Sequence, residues 1–196
     1  VKTGYSGKLK VIDGGLDIAD DSKKYVGIDQ SYTGFAITLI NDEGKYKTFV
    51  YKSAGHGVGR LIDIYYFMGY EVFEVAHNVV ASAMEGYAYN STMAHMAGEL
   101  GGMVKLELHH WFWDSEAKYP YIVAPAVLKK YITGKGTGVQ KNQILLNVYK
   151  KWGLEFTDDN AADSYGLARI AAGMADLAYE KDIIKKLLDP KYREKP

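Results

Sequence analysis

The chain has 196 residues, a hydrophobic fraction of 47%, no cysteine and a formal net charge of zero. This suits one globular domain with a sizeable core, and the missing cysteines exclude a disulfide framework, a cysteine zinc site and a thiol nucleophile. Zero net charge argues against a uniformly basic nucleic-acid coat. No apolar run is long enough to span a bilayer and no signal peptide is legible, which fits a cytoplasmic protein. Val1 in place of a methionine is what a trimmed start would leave.

Residues 1–24 are polar, and Asp13, Asp17, Asp20 and Asp21 make part of the stretch acidic. An extended, partly ordered N-terminal arm is expected there. Tyr25 to Asp29 follows as a strand, with β-branched Val26 and Ile28 pointing one way. A turn at Gln30–Gly34 leads to a second strand, Phe35 to Asn41, and the Asp42-Glu43-Gly44 hairpin to a third, Lys45 to Lys52. Glycines mark 53–59 as a loop. From Arg60 to about Asn78 the apolar residues Leu61, Ile64, Tyr65, Met68, Val72, Val75 and Ala76 recur at helical spacing.

Val79 to Met84 is a short, nearly all-apolar run, as in a strand covered on both faces. Ser91 or Thr92 is placed to cap a helix over about 92–109, and Tyr121-Ile122-Val123 forms a further short strand. Helices are expected over Pro125–Tyr131, Gln140–Lys151 and about 160–178, the first with proline in its opening turn. Residues 179–196 are predicted as a charged helical tail that frays. The order, βββαβαβα and then helices, predicts an α/β domain over 25–178: a mixed five-stranded sheet flanked by α-helices, its parallel part joined by crossovers.

Acids stand at several of these element ends. Asp29 ends the first strand and Glu85 follows the fourth. Asp158, Asp159 and Asp163 sit at and just inside the start of a helix, where Asp159 and Asp163 are four apart and Asn160 and Asp163 three apart, so that either pair shares a face. Taken singly, Asp29 is a turn residue and Asp158 and Asp159 are helix caps. If the first and fourth strands are parallel neighbours, Asp29 and Glu85 lie side by side. Such oxygen-rich clusters suit Mg²⁺ or Mn²⁺, and two such ions about 4 Å apart clamp the attacking and leaving oxygens of a phosphoryl displacement.

These motifs resemble the RuvC family of Holliday junction resolvases, especially its bacteriophage branch, over roughly residues 25–178. Gly27-Ile28-Asp29-Gln30-Ser31-Tyr32-Thr33-Gly34 resembles the family's first acidic strand-turn, and Arg60-Leu61 with Ile64 its following helix start. Ala83-Met84-Glu85 resembles the second acidic motif. Pro125 to Lys130, Gly134-Lys135-Gly136 and Lys141 resemble its lysine- and glycine-bearing segment. Asp158-Asp159-Asn160-Ala161-Ala162-Asp163 resembles the last acidic block of phage-type members. The resemblance implies an RNase H-like fold and a homodimer that nicks four-way DNA junctions symmetrically. It also implies two Mg²⁺ ions per active site, held by Asp29, Glu85 and Asp163. Many members carry Asp or His where this chain has Asn160, so Asp159 and Asn160 remain equal candidates to complete the set. Lys141 is matched to a lysine that approaches the scissile phosphate.

Six lysines and no acid fall between Lys129 and Lys151. Lys129, Lys130, Lys135 and Lys141 are the expected DNA contacts within this stripe, whose other use is a solvated face. The resemblance also implies that an aromatic just after Glu85, Tyr87 or Tyr89, stacks on junction bases; the other reading is ordinary surface or core tyrosines. Two other functions compete. An actin-like phosphotransferase needs a second glycine-rich phosphate hairpin, which the chain lacks. A catalytically silent branched-DNA binder is suggested by Asn160, but acids near phosphates repel and suit a binder poorly.

Overall fold

The computed structural model describes residues 6–86 and 94–189. Six strands form one sheet: β1 (Gly7–Gly14), β2 (Lys24–Asp29), β3 (Phe35–Asn41), β4 (Tyr46–Ser53), β5 (Val79–Glu85) and β6 (Tyr121–Val123). Their spatial order is β1-β4-β3-β2-β5-β6. The first four pair antiparallel, whereas β5 runs parallel to both β2 and β6. The α/β class and mixed sheet are as expected, with six strands rather than five.

The additional strand comes from the stretch expected to be an arm. Residues 7–14 pair along the whole of β4, from Gly7 opposite Ser53 to Gly14 opposite Tyr46. Leu16 and Ile18 then enter the core. Lys24 is fully buried, and its Nζ donates to the carbonyls of Asp20, Ser22 and His77 and to the Asp20 carboxylate at 2.6–3.1 Å. A buried ammonium needs such a ring of acceptors, and here the ring is made largely by the turn itself.

Helices cover both faces of the sheet. On one face lie α1 (Val58–Tyr66), a wider π turn over Phe67–Phe73 and α2 (Ala94–Trp111). They pack Ile64, Phe67, Met68, Leu100 and Val104 onto Ile28, Phe35 and Ile37. The expected helix over 60–78 is thus interrupted: the N–H of Glu74 bonds to the carbonyl of Gly69, five residues back, at 2.8 Å. Gly69 lies under the Glu107–Trp111 hydrogen bond, where a β-carbon would come within 3.2 Å of Glu107 Oε2. The widened turn runs the chain beneath that pair, where only a glycine fits without displacing it.

The other face carries α3 (Pro125–Thr133), α4 (Lys141–Trp152), α5 (Asp159–Ala171) and α6 (Ala178–Leu187). The helix expected over 160–178 stops at Ala171, where Gly173 takes a φ of 67° and turns the chain, and the tail expected over 179–196 forms α6. That tail is helical as expected but does not fray up to Leu187. Its Ile183, Ile184 and Leu187 join the core, and Glu180 is fully buried against Lys151. Among the described residues no helix is long and apolar enough to cross a membrane.

Helix α5 sits directly on the middle of the sheet. A β-carbon on Gly27 would lie 2.1 Å from both the Ser164 carbonyl oxygen and the Ala168 nitrogen. Small residues, Ala161, Ala162, Ser164 and Ala168, line the contact. Ser164 Oγ also joins Thr38 Oγ1, which meets Thr48 Oγ1, in a buried chain at 2.7–2.8 Å. This closeness brings the start of α5 to the ends of β2 and β5.

Candidate active site

Strand register decides which way the acids face. Asp29 is opposite Ala36, whose side chain belongs to the core on the α5 side. In the parallel β2–β5 ladder Ile28 pairs with Met84, so Asp29 and Glu85 are the next residues of neighbouring strands. Side chains alternate along strands, and Glu85 therefore shares the face of Ala83, which also packs toward α5. Asp163, one turn into α5, arrives from above. Three carboxylates from three elements thus meet at one end of one sheet face.

Their electrostatics follow from this crowding. Asp29 is buried, and burial raises its pKa well above the ordinary value, with the charges of Glu85, Asp163, Asp159 and Asp158 adding to the rise. Burial pushes the Glu85 carboxyl up to about 7, with Lys129 pulling the other way. Asp163 is pushed up to about 7 by burial, then by Glu85 and Asp159, against Lys129 and Lys141. The Oδ1 atom of Asp163 is buried with no hydrogen-bond donor.

The start of α5 divides its polar residues between two tasks. Asp158 is the cap: its Oδ1 accepts from the Asn160 N–H at 3.0 Å and from Asn160 Nδ2 at 2.9 Å, and Lys52 Nζ lies 3.3 Å from Oδ2. Burial alone would raise the Asp158 pKa, but these hydrogen bonds and Lys52 hold it below the ordinary value. Asn160 is therefore committed to Asp158, and its Nδ2 also abuts Gly34. Asp159 instead acts on Asp29 and Asp163, and its Oδ2 is 2.5 Å from Lys141 Nζ.

The lysine stripe is divided by the fold. Lys129 and Lys141 stand beside the acids, and Lys130 and Lys135 are exposed on α3 and the loop after it. Lys151 turns inward to Glu180, the Tyr131 carbonyl and the Tyr179 hydroxyl, so it offers no surface charge. Tyr87 and Tyr89, with the expected caps Ser91 and Thr92, lie outside the described residues.

Sequence reasoning misses one residue of the site. Gln30 Nε2 donates to the Glu85 main-chain carbonyl at 2.6 Å, and its Oε1 is buried without a donor. It extends the β2–β5 pairing past the last ladder bond and joins the two acid-bearing strand ends. Its position directly after Asp29 is the one signal the chain offers.

A divalent cation suits this set in charge and ligand type: hard carboxylate oxygens, mutually repelling, one of them orphaned. As the side chains stand, no group of three or more His, Asp or Glu among the described residues is arranged to hold an ion. The acids share a face and a field without closing on one point.

No protein-family model and no curated protein matches the chain. Solved structures do. RuvC of Thermus thermophilus aligns with a TM-score of 0.53 and 23% identity, covering 73% of this chain and 89% of that one. The same bacterium's RuvC in complex with a Holliday junction substrate aligns with a TM-score of 0.52 and 18% identity over 74% and 90%. At such identities the likeness is one of fold, and it supports the RNase H-like architecture.

Proposed function

We propose that this protein is a metal-dependent, structure-selective endonuclease that resolves Holliday junctions and related branched DNA by paired symmetric nicks, leaving 5′-phosphate and 3′-hydroxyl ends. The observation that carries the reading is the meeting of Asp29, Glu85 and Asp163 on one sheet face with their carboxyl pKa values raised. A bare acid cluster repels a phosphodiester; one that gathers cations attracts it. The fold likeness to a RuvC structure that holds a Holliday junction supports the substrate class, and the acidic block Asp158–Asp163 resembles that of phage-type members. For a phage enzyme the compartment is the host cytoplasm.

Asp29, Glu85 and Asp163, with Asp159, would hold Mg²⁺ or Mn²⁺, two ions per site. Asn160 could contribute only through its amide oxygen, since its nitrogen serves Asp158. Bound metal supplies an activated water and stabilises the departing 3′ oxygen. The chain's own groups orient and balance. Gln30 fixes the Glu85 strand end against Asp29. Lys129 and Lys141 offset the acids' charge and are placed to meet the scissile phosphate, while Lys130 and Lys135 would take neighbouring phosphates. Tyr87 and Tyr89 would stack on bases at the junction centre. A homodimer, needed for paired nicks, is supported by the exposed apolar side chains of Ile62, Tyr65, Tyr70 and Leu106 on the α1–α2 side. Neither a nucleotide cofactor nor a membrane enters this reading.

The test is incubation of the purified protein with a labelled mobile four-way junction, in Mg²⁺ and in EDTA, beside linear duplex and Y-branch controls. Metal-dependent paired nicks are expected, and Asp29→Asn is expected to abolish them while junction binding persists or tightens. Cutting by Asp29→Asn at the parent rate would refute the assignment. A second reading, a silent branched-DNA binder of the same fold, draws on the acids' failure to close on one point; junction binding without cutting in Mg²⁺ or Mn²⁺ would favour it.

A further inference from the structure

The additional strand β1 changes what lies beside the acids. Antiparallel pairing sets Lys8 opposite Lys52 and Lys10 opposite Val50. Val50 packs toward α5, so Lys8, Lys10 and Lys52 all share the face of Asp29 and Glu85. They also share its end. β4 finishes and β1 begins where β2 finishes, because the four strands alternate in direction.

Crossing the sheet at that end, one meets Glu85 on β5, Asp29 on β2, Gly34 before β3, Lys52 on β4 and Lys8 on β1. With strands ~4.8 Å apart, the axes of β4 and β1 lie about 10 and 14 Å from that of β2. Gly34 keeps the row low between the acids and the lysines: a β-carbon there would meet Asn160 Nδ2 at 2.6 Å and Lys52 Cε at 3.7 Å. Two of the lysines brace the approach to α5. Lys10 Nζ donates to Thr157 Oγ1 at 2.7 Å, and Lys52 Nζ meets Asp158. Lys8 has no ion-pair partner among the described residues, and the side chain of Lys52 is 57% exposed. On the far side of the acids stand Lys129 and Lys141.

We propose that Lys8, Lys10 and Lys52 form a phosphate track, which holds the sugar-phosphate backbone of a DNA strand as it passes across the sheet end to or from the acid cluster. This rests on the endonuclease reading and adds to it a surface made by residues 7–14. The occupant follows from charge. A row of ammonium groups at strand spacing, on an edge with one carboxylate among them, fits a polyanion of regular repeat and carries no base-reading geometry. The track therefore contributes affinity that is independent of sequence. Lys47 is the internal control: it lies on β4 with Lys52 but faces the opposite side and pairs with Asp13.

The experiment is equilibrium binding of a fluorescent four-way junction in EDTA, as a function of KCl, with parent protein, Lys8→Gln, the Lys8→Gln/Lys10→Gln/Lys52→Gln variant and Lys47→Gln. Each lysine–phosphate pairing removed should lower the log–log salt slope by about 0.9, so the triple variant should fall by up to about 2.7 and Lys8→Gln by about 0.9. Lys47→Gln should keep the parent slope. Because Lys8 has no ion pair to break among the described residues, its single variant tests the track even if the triple variant folds poorly. Parent-like slopes in both Lys8 variants, or an equal fall in Lys47→Gln, would overturn the track and leave the endonuclease reading standing. A parent protein that binds no junction would overturn that reading as well.

Discussion

Gly27 and Ser164 touch backbone to backbone: a β-carbon on the glycine would sit 2.1 Å from the serine carbonyl oxygen. This contact sets the height of α5 above β2, and with it the approach of Asp163 to Asp29. Gly27→Ala forces backbone atoms apart rather than the tip of a flexible side chain. It should cost roughly 3 kcal/mol or more, at the upper end of overpacking effects. Urea unfolding would measure the loss. Junction cutting should fall by about 100-fold or more in the folded fraction although no acid has been removed, since displacements near 1 Å carry penalties of that order.

The raised carboxyl pKa values make a pH prediction. A group whose pKa is higher in the folded than in the unfolded chain stabilises the fold in its protonated form. That contribution is complete below the ordinary carboxylate values, 4.5 for Glu85 and 3.8 for Asp163, and is lost as pH rises through about 7. Metal-free protein should therefore lose stability between about pH 4 and pH 7, by about 3–4 kcal/mol per carboxyl at most. Asp158, whose pKa is lowered, acts in the opposite sense at the acid end. Thermal melts in EDTA across this range would show the decline, and Asp29→Asn should flatten it. Mg²⁺ should raise the melting point more at pH 8 than at pH 5; equal effects at both would argue against cation binding by these acids.

Asp159 and Asn160 part company in the structure, so their variants should too. Asp159→Asn removes a charge that acts on Asp29 and Asp163 and should slow Mg²⁺-dependent nicking by about 10-fold or more. Asn160→Asp removes the donor to Asp158 and sets two carboxylates together. It should cost about 1–3 kcal/mol of stability with no gain in cutting. Faster nicking by Asn160→Asp would show that position 160, rather than 159, completes the site.

Glu180 tests whether the last helix belongs to the domain. Its carboxylate accepts from Lys151 and from the N–H groups of Asp176 and Leu177 at 2.8 and 3.0 Å, which starts α6. Glu180→Ala strands a largely buried ammonium and should cost about 3–5 kcal/mol. Removal of residues 178–196 should do at least as much damage. Circular dichroism and urea titration distinguish this from a dispensable tail, whose loss would leave the midpoint unchanged.

Much of this protein is legible along the chain. Short apolar or alternating runs bounded by turns identify β2 to β6, and an acid after a buried run, as at Asp29 and Glu85, is costly enough to mark a strand end with a purpose. The order of elements predicts the α/β class. These are local properties, fixed by side-chain alternation and turn chemistry. Three matters depend on the three-dimensional packing. Residues 7–14 look like a polar arm because an edge strand needs no apolar face; only its pairing with β4 makes it a strand and lines up Lys8 with Lys52. Lys151 looks like surface charge until Glu180 arrives from α6, 29 residues later. Asp159 and Asn160, adjacent and alike in sequence, have different surroundings only in three dimensions, where Asp158 captures the Asn160 amide and Lys141 meets Asp159. Periodicity is set by neighbours in the chain, whereas partners of buried charges are set by neighbours in space, and in this protein the candidate site is built almost wholly of the latter.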